Sequence, residues 1–161
     1  MQSLRAKKLA TYLVSALQKK HATIVCAESC TGGLVAGAIT DVAGASAVLK
    51  CSFITYCDEA KQELLGVSPQ TLEAHTAVSA ETAAEMAQGA RKRTAADLAI
   101  SVTGVAGPGG GTPERPVGLV YIGVADKHGV QSYALHLRGS RQQIRQQVVA
   151  EALWLAYQWA R

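Results

Sequence analysis

A serine held between a run of β-forming residues and a pair of glycines constrains this chain more than any other feature. Thr23-Ile24-Val25-Cys26-Ala27 reads as a short buried strand, and Leu34-Val35-Ala36-Gly37-Ala38-Ile39 as a helix. Between them lies Glu28-Ser29-Cys30-Thr31-Gly32-Gly33, too short for anything but a turn. A hydroxyl at that junction faces the start of a helix, where unpaired N–H groups and the positive dipole end gather. Ser29 is therefore either a helix cap or a nucleophile with an oxyanion site at hand, and the residues alone leave both open.

The remaining pattern extends this strand-and-helix alternation. Leu4, Leu9, Leu13, Val14 and Leu17 share one face, which predicts an amphipathic helix over 3–20. Asp41 to Ser46 reads as a loop and Val48 to Tyr56 as a strand. A short helix follows from Asp58 to Leu65, closed by Gly66 before Pro69. Ser79 caps a further helix that ends in Arg91-Lys92-Arg93 and leads into a strand from Asp97 to Val102. Gly118 to Ala125 and Gln131 to Leu137 form a hairpin turned at Asp126-Lys127-His128-Gly129. Ser140 caps a last helix with Ile144, Val148, Leu155 and Trp159 on its apolar stripe. Strands that alternate with helices early and pair directly late predict a three-layer α/β/α domain with a mixed sheet, one domain over 1–161.

Composition narrows the partners. A hydrophobic fraction of 48% in 161 residues suits a globular core, and aromatics at 5% leave no stacking platform for single-stranded nucleic acid. The net charge of +4 is too small to argue for DNA but suits a phosphate-bearing small molecule. Cys26, Cys30, Cys51 and Cys57 make no Cys-x-x-Cys pair and have no histidine at zinc-site spacing, so buried free thiols are expected and no metal. The start of the chain lacks a signal-peptide pattern, and no apolar run reaches the roughly 18 residues of a membrane helix. The expectation is a cytoplasmic protein that engages neither nucleic acid nor membrane.

Three groups could carry chemistry. Thr103 to Pro113 contains five glycines directly after a strand, where open α/β sheets place ligands. It lacks the Lys-Ser or Lys-Thr of a P-loop and the third glycine of the dinucleotide fingerprint. Lys61 serves as a general base only if its pKa falls from about 10.4 toward neutrality, and Asp58 nearby pushes it the other way. Read alone, Lys61 is a solvated helix lysine and Tyr56 an ordinary strand aromatic. Arg141 and Arg145, four apart on one helix face, either grip a phosphate or point into water. No histidine stands in a Ser-His-Asp setting, and Ser29 lacks Gly-x-Ser-x-Gly, so a lysine is the more plausible partner for a serine nucleophile.

Taken together these segments resemble the CinA C-terminal domain family, whose characterised enzymes are nicotinamide mononucleotide deamidases. The resemblance rests on Ala27 to Gly33, Thr55-Tyr56 with Glu59-Ala60-Lys61, Leu65-Gly66-Val67 and Ala77-Val78-Ser79. It continues through the loop from Thr103 to Thr112, Pro116-Val117-Gly118, and Gly139 with Arg141 and Arg145. It implies Ser29 as nucleophile, Lys61 as its base and Tyr56 as their assistant. It further implies oxyanion donors near Thr31, Gly32 and Gly33, and ribose and phosphate contacts from Thr103, Gly104, Gly107, Arg141 and Arg145. The implied substrate is a small-molecule nucleotide, with no metal or organic cofactor and with homo-oligomeric assembly. This chain departs from the family pattern at Cys57-Asp58, where Ser-Asn is usual, at Thr76 for a glycine, and at Ser140 within Gly-Asp-Arg. Two functions are compatible with it: a Ser-Lys amidohydrolase, or a silent paralogue that only binds a nucleotide-like ligand.

Overall fold

The structure is a computed structural model that describes residues 4–161. Five strands form one sheet in the order β2-β1-β3-β4-β5, comprising β1 (Ile24–Glu28), β2 (Leu49–Ile54), β3 (Leu98–Gly104), β4 (Leu119–Asp126) and β5 (Gly129–His136). β1 runs parallel to both β2 and β3, whereas β3–β4 and β4–β5 are antiparallel. The sheet is mixed, as the early alternation and late hairpin predict. Six helices cover it: α1 (Leu4–Lys20), α2 (Leu34–Thr40), α3 (Asp58–Leu65), α4 (Pro69–His75), α5 (Ala80–Thr94) and α6 (Arg141–Ala160).

Two hydrophobic clusters define the layers. On one face Leu13 and Leu17 of α1, Val35 and Ile39 of α2, and Val148 and Leu153 of α6 pack against Ile24, Ile100 and Ile122. On the other, Leu65, Leu72, Met86, Ala87 and Ala90 cover Val25, Ala27 and Ala99. β1 is buried from end to end and β3 from Leu98 to Thr103, as central strands sandwiched by helices should be. The chain leaves β1 for β2 through α2 on one face, then crosses to β3 through α3, α4 and α5 on the other. The opposed crossovers part at the C-terminal end of β1, the place where doubly wound sheets open a ligand crevice.

Several boundaries differ from the sequence reading. α4 is an element the sequence reading does not contain: Pro69 occupies its first turn behind Ser68, whose hydroxyl accepts from the Thr71 N–H. The 41–46 loop ends in a short 3₁₀ turn, Ala45–Ala47. Glu28 belongs to β1 and closes it. In α6 the buried stripe runs through Ile144, Val148, Val149, Ala152, Leu153 and Ala156, with Leu155 and Trp159 at its half-buried margin. The expected start of the first helix at Ser3 lies outside the described residues. Cys26 and Cys30 are buried free thiols, whereas Cys51 is half-buried and Cys57 exposed.

Candidate active site

Ser29 follows β1 directly, and its N–H donates to Val102 O at 2.9 Å, which ties the residue to the end of β3. Gly32 and Gly33 then take φ values of 59° and 96°, a left-handed path open to glycine, and turn the chain into α2. Two side chains hold this turn. The fully buried Glu28 carboxylate accepts from the N–H groups of Gly33, Val35 and Ala36 at 3.0, 3.1 and 2.9 Å. It thereby answers both the orphan donors and the positive end of α2. From the other side Arg145 donates through Nε to Cys30 O and through Nη2 to Thr31 O, each at 3.0 Å. The nucleophile candidate is carried on a clamped loop.

Lys61, on the first turn of α3, is the largest fully buried side chain among the described residues at 1% exposure. Its Nζ lies 2.8 Å from Thr55 O and 3.2 Å from Ser29 Oγ. Burial pushes its pKa down and dominates the opposing pull of Asp58, which alone would raise it. The expected influence of Asp58 is therefore present but outweighed. A neutral amine in this position donates one N–H to the Thr55 carbonyl and turns its lone pair to the serine hydroxyl, the arrangement a general base requires. The neighbouring Cys30 thiol is pushed by burial to about 11, so at neutral pH it is protonated and does not compete as a nucleophile.

The other predicted site residues surround this pair at different ranges. Tyr56 is 58% exposed, and its hydroxyl accepts from Arg141 Nη2 at 2.8 Å. Arg141 Nη1 donates to Gly107 O at 2.9 Å, so the arginine bridges Tyr56 to the glycine loop. Arg141 and Arg145 reach different loops and do not converge on one point. Thr103 is buried, its hydroxyl donating to Ala77 O, and a Cβ at Gly104 would meet Val120 Cα at 2.6 Å. Both serve the joint between β3, β4 and the start of α5. Gly109, Gly110 and Gly111 form the exposed tip of the loop. Among the oxyanion candidates the Gly33 N–H is engaged by Glu28 and the Gly32 N–H donates to Ser29 O at 3.0 Å.

Two contributors carried no role in the sequence reading. Glu28 lies six residues ahead of Leu34, so only the turn through Ser29–Gly33 brings its carboxylate to the start of α2. The Thr55 carbonyl leaves no side-chain signal at all. Among the described residues no group of three or more His, Cys, Asp or Glu side chains could hold a metal ion, and no helix is long and apolar enough to cross a membrane.

The family model described as the CinA C-terminal domain matches residues 6–159. The chain belongs to the CinA family. It is 50% identical over 137 residues to a CinA-like protein of Endomicrobium trichonymphae, covering 85% of this chain and 32% of that one. The chain spans about a third of the length of the curated relatives it matches. Among solved structures, that of the competence/damage inducible protein CihA from Agrobacterium tumefaciens superposes with a TM-score of 0.94 at 41% identity, covering 96% of this chain and 95% of that one. A CinA superfamily protein from Escherichia coli gives a TM-score of 0.90 at 34% identity, covering 96% and 90%. These CinA structures share the mixed-sheet fold over nearly their whole length.

Proposed function

We propose that this CinA domain is an amidohydrolase that converts nicotinamide mononucleotide to nicotinic acid mononucleotide and ammonia. The observation that carries the reading is the 3.2 Å approach of the buried Lys61 amine to Ser29 Oγ. Ser29 attacks the carboxamide carbon as Lys61 accepts its proton, giving a tetrahedral oxyanion. Lys61 returns that proton to the departing nitrogen, ammonia leaves, and an ester to Ser29 remains. Water, deprotonated by Lys61, then cleaves the ester and restores the serine. The Thr31 N–H is the candidate oxyanion donor, since its two glycine neighbours are already engaged. Arg141 and the glycine loop supply positive charge and a close backbone for ribose and phosphate. The reading extends to a cytoplasmic, homo-oligomeric enzyme acting on a small molecule.

Ammonia release from nicotinamide mononucleotide tests it directly, with Ser29→Ala as control. The wild type should turn over and the variant should lose about 10³-fold or more while keeping its fold. Release by both would remove Ser29 from the mechanism. Silence from a folded wild type would favour the second reading, a family member that binds a nucleotide-like ligand without deamidating it; the engagement of two expected oxyanion donors is the feature that speaks for it.

A further inference from the structure

Tyr56 is 58% exposed while Lys61 is buried, and the Tyr56 hydroxyl is held by a guanidinium that also grips the glycine loop. Arg141 reaches one acceptor from each of two segments: Tyr56 Oη at 2.8 Å and Gly107 O at 2.9 Å. Both acceptors are neutral. A phosphate dianion offers the same fork two charged oxygens, and with them an ion pair that neither neutral acceptor supplies. Whatever phosphate arrives there takes the guanidinium from the phenol.

We propose that Arg141 is a latch that couples the phosphate of the substrate to the use of Tyr56. Without phosphate, Arg141 holds Tyr56 outward and the dyad works unassisted. When the phosphate monoester binds, the guanidinium moves to it and the Tyr56 hydroxyl is released. Tyr56 follows Thr55, whose carbonyl holds Lys61 and whose N–H donates to Glu28 O. Rotation about the Tyr56 side-chain torsions therefore redirects the hydroxyl without moving β2 or α3. Phosphate binding then raises the rate of the chemical step as well as affinity, which makes the site selective for nucleotides over nucleosides. This specificity rests on the deamidase reading given above.

The test separates the latch from a plain phosphate contact by sign. Arg141→Met should lower kcat/KM on nicotinamide mononucleotide, as any lost phosphate contact would. On nicotinamide riboside, which lacks the phosphate, the same variant should raise kcat about tenfold over wild type, because Tyr56 is no longer held. An unchanged or lower riboside rate would overturn the latch. A second readout needs no turnover: the five tyrosines are replaced by 3-fluorotyrosine and the Tyr56 fluorine signal is assigned with Tyr56→Phe. Inorganic phosphate should move that signal saturably toward its position in phosphate-free Arg141→Met, and should not move it in the variant. A Tyr56 signal indifferent to phosphate sinks the latch even if the protein deamidates. Absence of ammonia with a responsive Tyr56 sinks the reaction and leaves the latch standing.

Discussion

A lysine amine at 1% exposure next to a serine hydroxyl fixes the sign of two pH effects. Its folded pKa lies below the ordinary 10.5, chiefly through burial. Turnover should therefore rise with pH as Lys61 loses its proton, and level off below 10.5. A flat rate profile, with chemistry rate-limiting, would count against Lys61 as base. Stability follows by linkage. Between the folded pKa and 10.5 the unfolded chain binds a proton that the folded chain does not, so stability rises with pH across that window. Lys61→Met removes the effect, and in urea unfolding wild type should gain on the variant as pH rises from the lowered folded pKa toward 10.5. Glu28→Gln keeps the shape but loses the charge under three N–H donors, at a cost of about 3 kcal/mol. Denaturant titration would read that loss, and a change below 0.5 kcal/mol would deny Glu28 its role. The sequence pointed to Lys61 by motif but not by burial. Its spacing of four from the buried Leu65 was the available clue that the two share an inward face.

At the scale of elements, the position of Lys61 depends on how closely α3 approaches α5. Gly89 makes that approach: a Cβ there would lie 1.7 Å from Leu65 O and 2.7 Å from Leu65 C. The obstacle is backbone, at the last residue of the helix that carries Lys61, so α3 itself must shift. Gly89→Ala gains about 1 kcal/mol of helix propensity but overpacks the joint by about 1–3 kcal/mol, toward the upper end for a backbone clash. It should lower the melting temperature and reduce kcat more than it raises KM, since the dyad is displaced while Arg141 and the glycine loop stay in place. An intact kcat would mean that α3 tolerates displacement without moving the amine. Element types were largely readable in advance, because periodicity and caps such as Ser79 and Ser140 are local signals. α4 escaped because Ser-Pro is both a break and a helix start, and only the Ser68 cap on Thr71 decides between them. The contact at Gly89 was invisible for a different reason: it joins residues 24 positions apart, and a glycine inside a helix reads locally as a weakness.

Across the whole molecule the sheet divides into a buried parallel half that carries Ser29 and a more open antiparallel half. β1 is buried throughout and β3 as far as Thr103, and Ser29 stands at the end of the former, pinned to the latter. β5 is an edge strand with half or more of its residues exposed, and Tyr133 stands 37% open on it. Opposed crossovers on either side of β1 explain why the dyad assembles where it does: the parallel half gathers the ends of β1, β2 and β3 at one rim. α6 enters from the antiparallel half and brings Arg141 and Arg145 over that rim. This division predicts a gradient in amide hydrogen exchange. The slowest amides should lie in β1 and β3 and exchange through global unfolding, while β5 exchanges through local opening at a smaller free energy. Nucleotide binding should add protection at the start of α6 and in the 104–111 loop, and slow β1 as well by the amount it raises the global unfolding free energy. Mass spectrometry of pepsin fragments after deuterium labelling resolves these segments. Protection of β5 equal to that of β1 would show a covered edge, and with it an antiparallel half as rigid as the parallel one.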